Sequence, residues 1–319
     1  MPTVEDLVER LLGGNRRALS RLLTLIENDA PVGRRALALL YPRSGSAHTV
    51  GLTGSAGSGK STLSGALARE LRRRGRTLGI VAIDPTSPFS QGAILGDRIR
   101  MQDLTSDPGV FLRSMATRGN LGGLAPSTAG VVTALDAFGK DIVLVETVGA
   151  GQDEVEVAAM ADTTVVVVTP GTGDDVQAMK AGIMEIADIL VVNKSDLPNA
   201  DLLARQLASI VDASPSARPD GRASARRTPI LKTAGGLNEG IDTLADAIEE
   251  HRAYIMQVGV RESHRREQAR HQVLALARQR LIDRLLARHA TDGRIDALVE
   301  QVAARTLDPH SAADDLLSS

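Results

Sequence analysis

The run Gly54-Ser55-Ala56-Gly57-Ser58-Gly59-Lys60-Ser61 limits what this chain can fold into more than any other stretch. It satisfies G-x-x-x-x-G-K-[ST] in full. An apolar, β-branched stretch (49–53) precedes it, and a helical pattern (62–72), opened by Thr62, follows. Strand, glycine loop and helix are therefore consecutive. The glycines let the backbone wrap closely, so its N–H groups converge on phosphate oxygens, and the helix N-terminus adds partial positive charge. In such a loop Lys60 reaches the β- and γ-phosphates and Ser61 ligates Mg²⁺.

The surrounding sequence is that of an α/β protein. Further apolar runs at 77–83, 110–112, 142–145, 164–169, 189–192 and 229–232 alternate with helical patterns. Continuous Val/Ile/Leu runs suit parallel strands covered on both faces. The expected fold is a doubly wound, mostly parallel sheet with helical extensions at both ends. The expected division is 1–47 for the N-terminal helices, 48–250 for the phosphate-binding domain and 251–319 for a helical C-terminal arm. Gly13, Gly14 and Asn15 separate two N-terminal helices, 42–47 reads as a linker and 214–227 as a Ser/Ala/Arg-rich loop. In the arm, Val273, Leu274, Ala277, Leu281, Ile282, Leu285 and Leu286 form an apolar stripe. Such a stripe either covers the chain's own core or forms a seam between two copies.

Two further strand ends carry chemistry. Asp141-Ile-Val-Leu-Val-Glu146-Thr-Val-Gly149 is a buried strand ending in an acid at the edge where nucleotides sit. Glu146 is the expected partner of Ser61 around Mg²⁺, and the Gly149 N–H is placed to sense a γ-phosphate. Asp84, at another strand end, and Asp97 are further candidate carboxylates for the metal shell, with a turn and a helix cap as their plainer alternatives. After the run 188–192 comes Asn193-Lys194-Ser195-Asp196, an N-K-x-D pattern. The Asp196 carboxylate can accept from guanine N1–H and the 2-amino group, which adenine lacks. Asn193 would tie this loop to the phosphate loop, and the Lys194 stem can pack on the base. Thr233-Ala234-Gly235 follows the last strand and is positioned to seat guanine O6.

Composition excludes several classes. Lys plus Arg total 37 against 39 Asp plus Glu, a net charge of −2, so no global field draws the chain to nucleic acid or an anionic membrane. Three Phe, two Tyr and no Trp leave little for a base-stacking surface. The absence of cysteine excludes disulfides, thiolate catalysis and Cys-ligated zinc. The six His are scattered and read as solvated or helix-surface residues. Arg72-Arg73-Arg74-Gly75-Arg76 reads as a helix end complementing its dipole rather than a nucleic-acid patch. No run approaches a membrane span, and the first residues lack a signal-type apolar core, so a cytoplasmic protein is expected.

Taken together, these motifs resemble the MeaB/ArgK family of SIMIBI-class P-loop GTPases. The matching strings are Gly54–Thr62, Asp84-Pro-Thr-Ser-Pro-Phe89, Leu95-Gly-Asp-Arg-Ile-Arg-Met101, Arg113-Ser-Met-Ala-Thr-Arg-Gly119, Glu146-Thr-Val-Gly-Ala-Gly-Gln152, Pro170-Gly-Thr-Gly-Asp-Asp175, Lys180 to Asp188 and Asn193–Asp196. The chain departs from the usual family pattern at Ala56, Gln91 and Tyr254. The resemblance implies binding and slow hydrolysis of GTP with Mg²⁺, a homodimer to which the C-terminal helices contribute, and association with an adenosylcobalamin-dependent acyl-CoA mutase, chiefly methylmalonyl-CoA mutase, whose cofactor loading it gates. By the same resemblance Ser61, Asp84, Asp97 and Glu146 form the metal shell, and Arg100 lies in a switch near the phosphates. Asp174, Gln177 and Lys180 lie in a loop that answers to the partner. No Gln directly follows Gly149, and Gln152 stands three residues on, so unassisted turnover on the order of minutes is expected. Rival readings are a small-molecule kinase of the arginine or ornithine transport type, a GTPase metallochaperone, and a module that holds GTP without turning it over.

Overall fold

The computed structural model describes every residue except 1, 85–100, 117–124, 148–151, 172–185, 214–226, 258, 290–291 and 319. In chain order the described elements are α1 (Val4–Leu12), α2 (Arg16–Glu27), α3 (Pro31–Leu40), β1 (His48–Thr53), α4 (Lys60–Arg73), β2 (Leu78–Asp84), α5 (Gln102–Ser106), β3 (Val110–Ala116), α6 (Ala125–Ala137), β4 (Ile142–Glu146), α7 (Gln152–Met160), β5 (Thr163–Val168), β6 (Ile189–Val192), α8 (Ala200–Ala213), β7 (Ile230–Lys232), α9 (Ile241–Ile255), α10 (Val260–Arg288), α11 (Arg294–Ala303) and α12 (Pro309–Ser318). The strands form one sheet in the order β3-β2-β4-β1-β5-β6-β7, every pairing parallel. All seven expected strands are present, with ends shifted by a few residues.

Alternate residues of each strand feed opposite faces, as the pleat requires. Val50, Leu52, Ile142, Leu144, Val165 and Val167 pack with α4 and α9 through Leu63, Leu67, Leu71, Leu244 and Ile248. Val81, Ile83, Val143 and Val145 pack on the other face with α6, α7 and the three N-terminal helices. The N-terminal helices thus share a core with the sheet. α2 contributes Leu19, Leu22, Leu23 and Ile26, one face at helical spacing. α1 is held at its start by a capping box between Thr3 and Asp6.

The N-terminal region has three helices where two were expected. The second break falls at Asn28-Asp29-Ala30: Asp29 takes φ 48° and Pro31 starts α3. The 42–47 linker is also firmer than its composition implied. The Asp136 carboxylate on α6 accepts from three successive main-chain N–H groups, those of Gly45, Ser46 and Ala47.

The chain forms two compact units, residues 1–272 and 273–319. In the second unit Val273, Leu274, Leu281 and Leu286 are exposed, and Ile282 and Leu285 are half-buried.

Candidate nucleotide site

The site is built at the carboxyl ends of β1, β4 and β6. β1 is buried along its whole length and delivers the chain into the loop 54–59. Gly54 takes φ 139°, and a Cβ there would sit 2.0 Å from the Val167 carbonyl oxygen, so only glycine fits beside β5. Gly59, at φ 86°, caps α4 in the left-handed region, and a Cβ there would sit 2.6 Å from Asn193 Nδ2. The motif's glycines are thus fixed by two close approaches, one to β5 and one to the loop after β6.

Lys60 opens α4, is almost fully buried, and donates from Nζ to the carbonyls of Gly54 at 2.6 Å and Ser55 at 2.8 Å. Its ammonium therefore lies inside the concavity of the loop. Of the other loop residues, Ser58 is buried, while Ala56, Gly57 and Thr62 are exposed. Glu146 ends β4 beside β1, in register with Leu52, and only 3% of it is exposed. Its Oε1 accepts from the Ser61 hydroxyl. The two oxygen donors expected around a metal ion are in direct contact, and a hydroxyl with a carboxylate is the donor set a hard divalent cation prefers. That observation fits Mg²⁺.

The base loop is tied to the phosphate loop by one side chain. Asn193 Nδ2 donates to the Ser58 carbonyl at 2.8 Å. Its Oδ1 accepts from Thr233 Oγ1 at 3.0 Å and from the Gly235 N–H at 3.2 Å. Asn193 thereby joins three loops that are far apart in sequence, and Thr233 orients its amide. Lys194, at φ 55°, donates from Nζ to the Gly57 carbonyl at 2.9 Å. Asp196 is exposed at the loop's tip. Ala234 is buried, and its N–H is held by the Glu239 carbonyl in a tight turn.

The sequence-expected residues Asp97, Arg100, Gly149, Asp174, Gln177 and Lys180 lie outside the described residues. Asp84 is placed by its backbone at the end of β2, in register with Ala116. Arg113, from one of the family-like strings, points away from the nucleotide edge: its guanidinium pairs with the nearly buried Glu27 and reaches Thr24 Oγ1, fastening α2 to β3. The arginines of 72–76 are engaged with carboxylates: Arg72 with Asp107, Arg73 and Arg74 with Glu70, Arg74 with Asp246, Arg76 with Glu249.

The scattered-histidine reading needs correction. His48, His251, His264 and His289 are each less than 10% exposed. Three of them meet at the amino edge of the sheet, a gathering that spacing in the chain could not reveal. Among the described residues no helix is long and apolar enough to cross a membrane.

Comparison with known proteins agrees with this geometry. The family model described as "Methylmalonyl Co-A mutase-associated GTPase MeaB" matches residues 19–290. A putative GTPase of Pyrococcus abyssi is 44% identical over 314 residues, covering 98% of this chain and 96% of that protein. A probable GTPase of Mycobacterium tuberculosis is 38% identical over 322 residues, covering 99% and 94%. A crystal structure of a LAO/AO transport system kinase superposes with a TM-score of 0.73 over 99% of this chain and 96% of the other. At 24% identity it speaks for the fold alone.

Proposed function

The chain belongs to the MeaB family and is a GTPase, and on that premise we propose that it is a slow, Mg²⁺-dependent switch that docks on an adenosylcobalamin-dependent acyl-CoA mutase and gates its cofactor. The observation that carries the nucleotide half of this reading is the Asn193 side chain, which joins the phosphate loop, the N-K-x-D loop and the Thr233 loop. A chain that fastens these three loops holds phosphate cradle and base reader at a fixed separation, which is what selecting one nucleoside triphosphate requires.

In the proposed reaction a water attacks the γ-phosphorus, the bond to the β–γ bridging oxygen breaks, and GDP and phosphate leave. Lys60 moves from the Gly54 and Ser55 carbonyls to the β- and γ-phosphate oxygens and offsets their charge. The loop's N–H groups take the remaining oxygens. Ser61 and Glu146, with Asp84 and Asp97, would hold Mg²⁺, which supplies charge neutralisation across the phosphates. Asp196 reads the guanine edge, the Lys194 stem covers the base, and the Thr233-Ala234-Gly235 loop seats O6, for which an N–H now held by Glu239 or Asn193 would have to change partner. Gly149 senses the γ-phosphate, Arg100 belongs to the switch, and Gln177 and Lys180 act when the partner engages them.

The family's description supports the mutase as partner. The exposed Val273, Leu274, Leu281 and Leu286 support a second copy of the chain on the arm. The test is co-elution of the full chain with purified methylmalonyl-CoA mutase in Mg²⁺ and either GDP or a non-hydrolysable GTP analogue. A complex whose stability depends on the nucleotide is expected; no complex under either nucleotide overturns the partner reading. A strictly monomeric chain at micromolar concentration in sedimentation overturns the homodimer.

A further inference from the structure

The segment 101–107, which contains α5, lies along the flank of α4, the helix that opens with Lys60 and Ser61. Three contacts fix its direction. Met101 meets α4 at Gly65, where a Cβ would stand 3.6 Å from Met101 Cγ. Asp103 meets Arg69, which donates from Nε to Oδ2 at 2.6 Å and from Nη2 to Oδ1 at 2.9 Å. Asp107 meets Arg72, which donates from Nε to Oδ2 at 2.8 Å and from Nη2 to Oδ1 at 2.9 Å. As the segment advances from 101 to 103 to 107, its contact on α4 advances from 65 to 69 to 72. The two therefore run in the same direction, and the Met101 end is the one nearest Ser61.

The seat of this segment is apolar and its alignment is ionic. Met101 and Leu104 are buried in the core that also takes Leu63, Leu67 and Leu71 of α4. Apolar burial has no direction, so by itself it lets a short segment slide or turn on a helix. The arginines supply the direction. They stand three residues apart on one face of α4. Each presents two parallel N–H donors to one carboxylate, a geometry that sets orientation as well as distance. Both carboxyls are held below the usual carboxylate range, first by these arginine hydrogen bonds. Asp107 also accepts from the Gly109 N–H at 2.7 Å, which ties the far end of the segment to the start of β3.

Covalent geometry carries the alignment to the reaction. Gly65 is four residues beyond Ser61, about 6 Å along the helix axis. Consecutive Cα atoms are about 3.8 Å apart whatever path the chain takes before them. The residue joined to Met101 is Arg100. The register of 101–107 on α4 therefore sets the point from which the Arg100 side chain starts.

We infer that Arg69 and Arg72 are positioning residues for GTP hydrolysis: with Asp103 and Asp107 they hold 101–107 in register on α4, and so hold Arg100 at a fixed approach to the Ser61–Glu146 pair. The inference rests on the Mg²⁺-dependent reaction and on the switch role proposed above for Arg100.

The test uses the full chain with Mg²⁺ and reads phosphate release at saturating GTP, GDP affinity by calorimetry and the unfolding midpoint. Arg69 and Asp103 are both about half exposed, so Arg69→Gln and Asp103→Asn disturb the pair and little else. In each, kcat falls by about tenfold, as when a reacting group is slightly misplaced. GDP affinity changes by less than about twofold, because the loss lies in the transition state. Arg69→Asp combined with Asp103→Arg restores the pair and most of the turnover. Arg100→Ala lowers turnover by itself, and Arg69→Gln added to it costs nothing further. Native turnover in both single variants overturns the inference alone, as do a loss of GDP affinity equal to the loss of kcat, an exchange that rescues nothing, or losses that add to that of Arg100→Ala. Full turnover in Arg100→Ala overturns it together with the switch role of Arg100. A native chain that releases no phosphate from GTP takes the proposed reaction with it.

Discussion

At the carboxyl edge of the sheet the polar groups come from the main chain and from residues contiguous in sequence; at the amino edge they come from six side chains spread between His48 and His264. The carboxyl edge must close on a ligand, so it uses glycines, loop N–H groups and side chains that change partners. At the amino edge buried side chains find each other across β1, β5, β6, α9 and α10, with His264 Nε2 left without a hydrogen bond. One sheet thus carries an adaptable end and an end of buried side chains. Disturbing the first should change chemistry at constant stability, and disturbing the second should do the reverse.

The sharpest way to break that contrast is Lys60→Ala. Turnover of GTP by phosphate release should fall by about 10²–10³-fold, the cost of removing one preorganised charge from a developing phosphate. The unfolding midpoint should hold nearly constant. A variant that unfolds instead would make the buried Lys60 ammonium a structural strut.

Acid should expose the other edge. His48 has its usual value near 6.5 in the unfolded chain and about 4 in the fold. The unfolded state binds more protons between those values, so stability rises with pH across that window and is lost as pH falls from 6.5 toward 4. The full shift corresponds to roughly 3 kcal/mol. Urea titrations at successive pH values should show this slope, and His48→Gln should flatten it. A slope that survives in His48→Gln would assign it to another group.

A smaller effect belongs to Asp196→Asn. Losing a charge-assisted pair to guanine costs about 2 kcal/mol, so GTP affinity should fall about 30-fold with ATP affinity unchanged. Equal losses for both nucleotides in calorimetry would move base recognition elsewhere. Smallest of all is Arg73→Ala: its side chain is 72% exposed beside Glu70, and the change in stability should lie within about 0.5 kcal/mol.

The same contrast explains what could be read from the chain before folding. Chemistry that needs neighbouring residues leaves a string: Gly54 to Ser61, Glu146 at a strand end, Asn193 to Asp196. Those strings ordered the strands and placed the nucleotide edge. Asn193 even announced its tie to the phosphate loop, because the N-K-x-D pattern and the glycine loop constrain each other. The buried histidines at the amino edge left no string. His48, His251 and His264 are spread over 216 positions, and lone histidines at such spacing look like surface residues. Arg113 belonged to a string that carried the resemblance but no role; its side chain meets Glu27, fastening α2 to the edge strand β3. The break before Pro31 was passed over, although Asn28-Asp29 ahead of a proline is the signal of a helix end and a new start.

The Asp136 carboxylate, which gathers the N–H groups of Gly45, Ser46 and Ala47, has a practical consequence. A Gly- and Ser-bearing stretch between two structured regions is where a protease usually cuts and where a fusion partner is usually spliced. Here a cut would strip a carboxylate of its donors and cast loose helices whose leucines complete the sheet's own interior. Anyone trimming this protein to a minimal catalytic fragment should keep its first forty-odd residues.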